Sequence, residues 1–204
     1  MAVHCVNPNT VSTQTEAMFN VTDAEGRALI NSFSSTIENL KSHWKGSDAV
    51  ANITDLAKVY SAVTELVKDL QKIIVTVNNN EILPLQKHIV ASGGSCAVGN
   101  ELGITLNVDS FISVPADTGE IWTDSAIISD ADTFNSFPTT FENFVNSLNE
   151  AKSALLSNWL DGANREEVVR TFENFNNNVA DYKSQITKVR DNLNIVAENK
   201  KHLL

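Results

Sequence analysis

The sequence predicts an all-α protein in which two long antiparallel helical hairpins pack as a four-helix bundle around a small irregular or β insertion. Three observations predict it. Two stretches of the 204-residue chain carry apolar residues at alternating spacings of three and four. Each stretch is broken near its middle by a large apolar residue followed closely by glycine, at Trp44-Lys45-Gly46 and again at Leu160-Asp161-Gly162, with Trp159 just ahead. Gly and Pro number only eight and four, which favours long elements over many short strands.

Taken in order, residues 1–21 lack periodicity and read as an irregular N-terminal arm. Thr22-Asp23-Ala24-Glu25 fits a capping box, which places the first helix start there. Ile30, Phe33, Ile37, Leu40 and Trp44 then recur at 3, 4, 3, 4. Past the elbow, Ile53, Leu56, Tyr60, Val63, Val67, Leu70, Ile74 and Val77 keep the pattern, giving a first helical hairpin over 22–91. Asn78-Asn79-Asn80 and Pro84 predict a kink in its second helix before Ser92-Gly93-Gly94 ends it. Residues 92–129 read as an acidic, Gly-containing connector. Ile104, Leu106 and Val108 alternate with polar residues there, and Phe111-Ile112-Ser113-Val114 supplies a partner for a short β-hairpin. The second hairpin occupies 130–204. Its last helix has the cleanest seam: Val168, Phe172, Phe175, Val179, Tyr182, Ile186, Val189, Leu193 and Val196.

A shift of 115 positions lays Trp44 on Trp159, Ile30 on Val145, Phe33 on Leu148 and Leu40 on Leu155. One hairpin leaves an apolar seam exposed, whereas two in the same chain bury their seams against each other. That predicts a monomeric pseudo-dimer or a weak homodimer. In both elbows the apolar residue plugs the end of the shared core and the glycine, Gly46 or Gly162, lets the chain reverse.

Charge narrows the partners. The net charge is −10, and residues 88–151 contain nine acidic residues and no Lys or Arg. Such a segment repels phosphate backbones and anionic headgroups, so no nucleic-acid partner is expected. No apolar run approaches the ~18 residues of a membrane span, and no stable membrane insertion is expected. Residues 1–20 do not read as a cleaved signal peptide. Cys5 and Cys96 read as ordinary free thiols and not as a disulfide framework.

The candidate chemistry is thin. Asp117-Thr118-Gly119 matches an aspartic-protease triplet but occurs once, so a turn is the better reading. Asp130-Ala131-Asp132 begins like a calcium loop, yet Asn135 stands where Gly is needed and Phe141 where Glu is needed. His4, His43, His88 and His202 have no zinc-ligand spacing. No catalytic residue, cofactor site or metal site is assigned. Trp44, Gly46, Trp159, Leu160 and Gly162 are the candidate interaction residues.

The helix, Trp-x-Gly elbow, helix pattern resembles the WxG family of small bacterial proteins of the early secretory antigen type, exported by type VII secretion. Leu160-Asp161-Gly162 is similar to the Leu-x-Gly variant of related targeting domains. The resemblance covers about 22–90 and 130–204 and implies a tandem, fused WxG/LxG protein. It implies a non-enzymatic role as a secreted substrate, or as helical partner and chaperone of a secreted effector, with the secretion machinery or that effector as protein partner. It also implies export without a cleaved signal peptide from a cytoplasmic pool. The family's Tyr-x-x-x-Asp/Glu signal is not matched, since Tyr60 is followed by Thr64 and Tyr182 by Ile186. Two other readings stay open: a helical pore-forming toxin subunit whose β-tongue is the segment 97–122, and an intracellular coiled-coil scaffold.

Overall fold

Helices begin earlier in the chain than the hydrophobic pattern suggests. The computed structural model describes residues 4, 5 and 7–203, and most of them are helical. The order is β1 (His4–Cys5), α1 (Pro8–Asn20), a π-helical turn (Val21–Glu25), α2 (Gly26–His43) and β2 (Trp44–Lys45). There follow α3 (Ser47–Val77), a second π-helical turn (Asn78–Ile82), α4 (Leu83–Ala91), β3 (Trp122–Thr123), α5 (Ile127–Phe134), α6 (Phe137–Asn158), β4 (Trp159–Asp161) and α7 (Arg165–Lys201).

Two compact units divide the chain. The first comprises residues 1–27, 66–107 and 144–177. Its core is built from Val67, Leu70, Ile74 and Val77 of α3, Leu148, Leu155 and Phe144 of α6, and Val168, Phe172 and Phe175 of α7. The second comprises residues 28–65, 108–143 and 178–204. Its core holds Phe33, Ile37 and Leu40 of α2, Ile53, Leu56 and Val63 of α3, and Phe134, Phe137 and Phe141. Phe33 is fully buried there, with Phe137 edge-on at 4.3 Å and Tyr60 at 6.4 Å between ring centroids. Such edge-to-face pairs add to the burial itself.

Several expectations are corrected. The arm expected over 1–21 contains the helix α1. Asn7 caps it by accepting from the N–H groups of Asn9 and Thr10, and Pro8 occupies the first turn, where its missing N–H costs nothing. Its inner face is Val11, Ser12, Thr15 and Met18. Half of that face is small and polar, so apolar periodicity misses it. Residues 1–3 and 6 of the arm lie outside the described residues.

The capping box at Thr22 is not a helix start. α1 runs through the π-helical turn into α2, so no free N–H groups await a cap, and the Thr22 hydroxyl donates to the Phe19 carbonyl. The kink expected near Pro84 is a π-helical turn, with Pro84 itself in the first turn of α4. The extra residue in that turn rotates the buried face onto Ile82, Leu83 and Gln86 and leaves Leu85 and Ile89 half-buried.

The expected β-hairpin is absent. Residues 94–121 carry no strand, which also removes the β-tongue imagined over 97–122; β3 alone falls in that span. The second helical region starts at Ile127, ahead of residue 130. Pro138 sits in the first turn of α6. Of the nine seam positions expected on α7, Val179, Tyr182 and Val196 are half-buried and the other six are buried.

Truncating Phe33 to Ala is expected to cost about 3–5 kcal/mol, because it removes a buried ring and leaves a cavity. Lys183→Ala, which loses an exposed ion pair to Glu142, is expected to cost under about 1 kcal/mol. Urea denaturation of both variants reads the contrast.

Candidate functional site

The elbow between α2 and α3 lies in the second unit. Trp44 is buried there. A break between two helices leaves main-chain groups that neither helix can satisfy. β2 satisfies them by pairing antiparallel with β3, Trp44 opposite Thr123 and Lys45 opposite Trp122, while Asp124 N–H donates to the His43 carbonyl at 2.8 Å. The Lys45 ammonium stands 5.8 Å from the centre of the Trp122 ring, a cation–π distance. Gly46 has φ +117, a conformation that other residues reach only with strain. His43 Nδ1 is 2.6 Å from Asp130 Oδ2 and ties the end of α2 to α5. Asp130 is therefore committed to a hydrogen bond on a helix and not to a calcium loop. Among the described residues no group of three His, Cys, Asp or Glu side chains could hold a metal. Asp117 accepts from the Gly119 N–H, as a turn residue does.

The elbow between α6 and α7 lies in the first unit. Trp159 is fully buried, and β4 pairs antiparallel with β1. From its Trp to its Gly this elbow is one residue longer than the other. The surplus is taken up as an irregularity in the pairing: Cys5 faces Trp159 and His4 faces Asp161, so Leu160 is skipped and left 45% exposed. Gly162, unlike Gly46, has no positive φ. Its requirement is space. A Cβ on Gly162 would overlap the Glu81 carboxylate and lie 2.6 Å from Trp159 Nε1. The expectation that Gly162 lets the chain reverse is corrected accordingly, whereas Gly46 does fill that role.

Glu81 is a residue that sequence reading missed. It belongs to the π-helical turn after α3 and is 5% exposed. Its Oε1 accepts from both the main-chain and side-chain nitrogens of Asn164, at 2.9 and 2.6 Å, which places a carboxylate at the N-terminus of α7. Arg165 Nε donates to the Trp159 carbonyl and closes the same corner.

A second set of missed residues also lies in the first unit. Gln71, Asn78 and Gln86 are completely buried on α3, the π-helical turn and α4. With Asn79 they bind the main chain of the connector. Gly99 N–H donates to Gln86, Leu102 N–H to Asn79, and the N–H groups of Thr105 and Leu106 both to Gln71, all at 2.9–3.1 Å. In return Asn78 donates to the Asn100 carbonyl and Asn79 to the Leu102 carbonyl. At the far end the Thr105 hydroxyl donates to Asp23, which also pairs with Arg27. Those two contacts, Thr105 first and Arg27 second, hold the Asp23 carboxyl below the ordinary carboxylate range. The signal in the sequence was a polar residue directly after a seam residue, Gln71 after Leu70 and Asn78 after Val77, one heptad apart.

Two outcomes test these corners. Gly162→Ala is expected to destabilise by about 1–3 kcal/mol through overpacking, and the penalty shrinks in a Glu81→Ala background; a double-mutant cycle in urea that came out additive would contradict the packing. Asp23 has a lowered folded pKa, so its contribution is present above the unfolded value of 3.8 and is lost as the pH falls through that value and below. Asp23→Asn is therefore expected to be less stable than the wild type at pH 7 and indistinguishable from it near pH 2. No family model, curated protein or solved structure matches the chain, so its function is read from these corners themselves.

Proposed function

We propose that the chain is a non-enzymatic, tandem WxG/LxG-type protein of bacterial type VII secretion. In this reading the hairpins α2–α3 and α6–α7 pack antiparallel as one four-helix bundle, and the elbows with Trp44 and Trp159 present its recognition ends. The observation that carries the reading is the doubled elbow: each joins two long helices, buries its indole and pairs its main chain with a two-residue strand. Cofactor chemistry plays no part in it.

Between the two roles, helical partner of a secreted effector is favoured over autonomous substrate. The positions four residues after Tyr60 and Tyr182, where a tyrosine-based export signal would carry its acid, are Thr64 and Ile186, and both are fully buried. Exposed apolar residues at the elbows, Leu160 in one and Ile121 beside the other, offer contact surface for a protein partner. No described helix is long and apolar enough to cross a membrane.

The test is made in the native cell, with and without the secretion ATPase. The expected result is protein in the medium, or protein bound to a secreted effector, that disappears when the ATPase is deleted. Protein confined to the cytosol in both strains, with no secreted protein co-purifying, contradicts both versions. Leu160→Asp is expected to lower effector capture while leaving the unfolding free energy within about 0.5 kcal/mol of the wild type, as exposed substitutions do.

A further inference from the structure

Fully buried side-chain amides are costly on a helix unless their hydrogen bonds are taken up. In the first unit the amides of Gln71, Asn78, Asn79 and Gln86 follow one another along α3, the π-helical turn and α4. Asn78 follows Gln71 by seven residues and Gln86 follows Asn78 by eight, and the π-helical turn absorbs the additional residue. Of their seven hydrogen bonds to residues 99–106, six end on main-chain N–H or C=O groups, and the seventh runs from the Gln71 amide to the Thr105 hydroxyl. Asn79 binds both the N–H and the C=O of Leu102, as the edge of a β-sheet would.

Two side chains of the held segment contribute: the Thr105 hydroxyl, which accepts from Gln71 and donates to Asp23, and Leu106. Leu106 is 3% exposed and is its one buried anchor, while Ile104 is 60% exposed. Gly99 fits because a Cβ there would lie 2.9 Å from the Ser12 hydroxyl. The connector is thus bound as an extended peptide ligand is bound: chiefly by its backbone, with one small position, one hydroxyl position and one apolar position. Nothing in α3 or α4 requires that the ligand belong to the same chain.

We propose that this amide ladder is a binding site for an extended peptide, and that residues 99–106 of a second copy of this chain occupy it when the resident connector is lifted off. That segment is the natural occupant because it supplies the Gly and the Leu at the spacing the ladder accepts. Within one chain the resident copy wins by effective concentration, which for a short tether is on the order of millimolar. Exchange between copies therefore requires a weakened connector or a high protein concentration.

The test uses the full-length chain carrying Leu102→Pro and Thr105→Pro, which removes the two N–H groups that donate to Asn79 and Gln71 together with the Thr105 hydroxyl. The probe is a fluorescein-labelled synthetic peptide of residues 97–108. Its anisotropy is expected to rise saturably on the double variant, with affinity at least tenfold weaker on the wild type and at least tenfold weaker when Asn79→Ala is added. A double variant with wild-type circular dichroism that leaves the anisotropy unchanged overturns the proposal, as does binding indifferent to Asn79→Ala. Should the prolines unfold the chain, millimolar unlabelled peptide is added to the wild type instead. Faster hydrogen exchange at the Leu102 and Thr105 amides of the connector supports displacement, and unchanged exchange overturns it.

Discussion

A helix pair that reverses direction must satisfy the main-chain groups it exposes at the reversal, and it must do so around whatever side chain it buries there. Both elbows of this protein meet that requirement in the same way. The indole goes inside, at Trp44 and at Trp159, and the elbow's backbone pairs with a two-residue strand far away in sequence. β3 lies 78 positions after Trp44 and β1 lies 154 positions before Trp159. Each elbow is therefore closed by a segment that leads into a short helix, α5 in one unit and α1 in the other. The same constraint explains the capping groups around them, Asp124 beside His43 and Glu81 beside Asn164.

The same order of parts recurs in the two units. Moved by 115 positions, residues 1–27 of the first unit fall on 116–142, which belong to the second. Residues 28–62 of the second unit likewise fall on 143–177, nearly all of which belong to the first. Each unit is thus assembled from the same kinds of part: a leading strand and short helix, an elbow, and the far half of a long helix. The two units differ where the connector is attached. The first unit holds residues 99–106 with buried amides, whereas in the second the Tyr60 hydroxyl donates to the Asp109 carbonyl and Lys41 donates to Ser113.

The seams were legible because burial of large apolar side chains dominates the choice of helix face. Ile30, Phe33, Ile37, Leu40, Ile53, Leu56, Ile74 and Val77 are all buried as their spacing requires. The elbow residues were legible too, since Trp followed closely by Gly interrupts an otherwise regular pattern. What stayed hidden was whatever works through polar atoms. α1 packs Ser12 and Thr15 inward, the Asn78-Asn79-Asn80 run reads as a helix weakener although two of its members hold the connector, and Glu81 looks like a surface carboxylate. Hydrophobic periodicity carries no information about a buried amide whose partner is a loop twenty residues away. Gly162 was placed correctly for the wrong reason, because a clash with Glu81 depends on a residue 81 positions earlier.

Burial of both elbow indoles is the claim on which the fold and its functional reading stand, and tryptophan fluorescence measures it most directly. The chain has three Trp residues, of which Trp122 is 41% exposed and the other two are at most 5% exposed. In a Trp122→Phe variant the remaining emission is predicted to be blue-shifted and nearly insensitive to iodide. Red-shifted emission readily quenched by iodide in that folded variant would contradict the account, since it would place Trp44 or Trp159 in water.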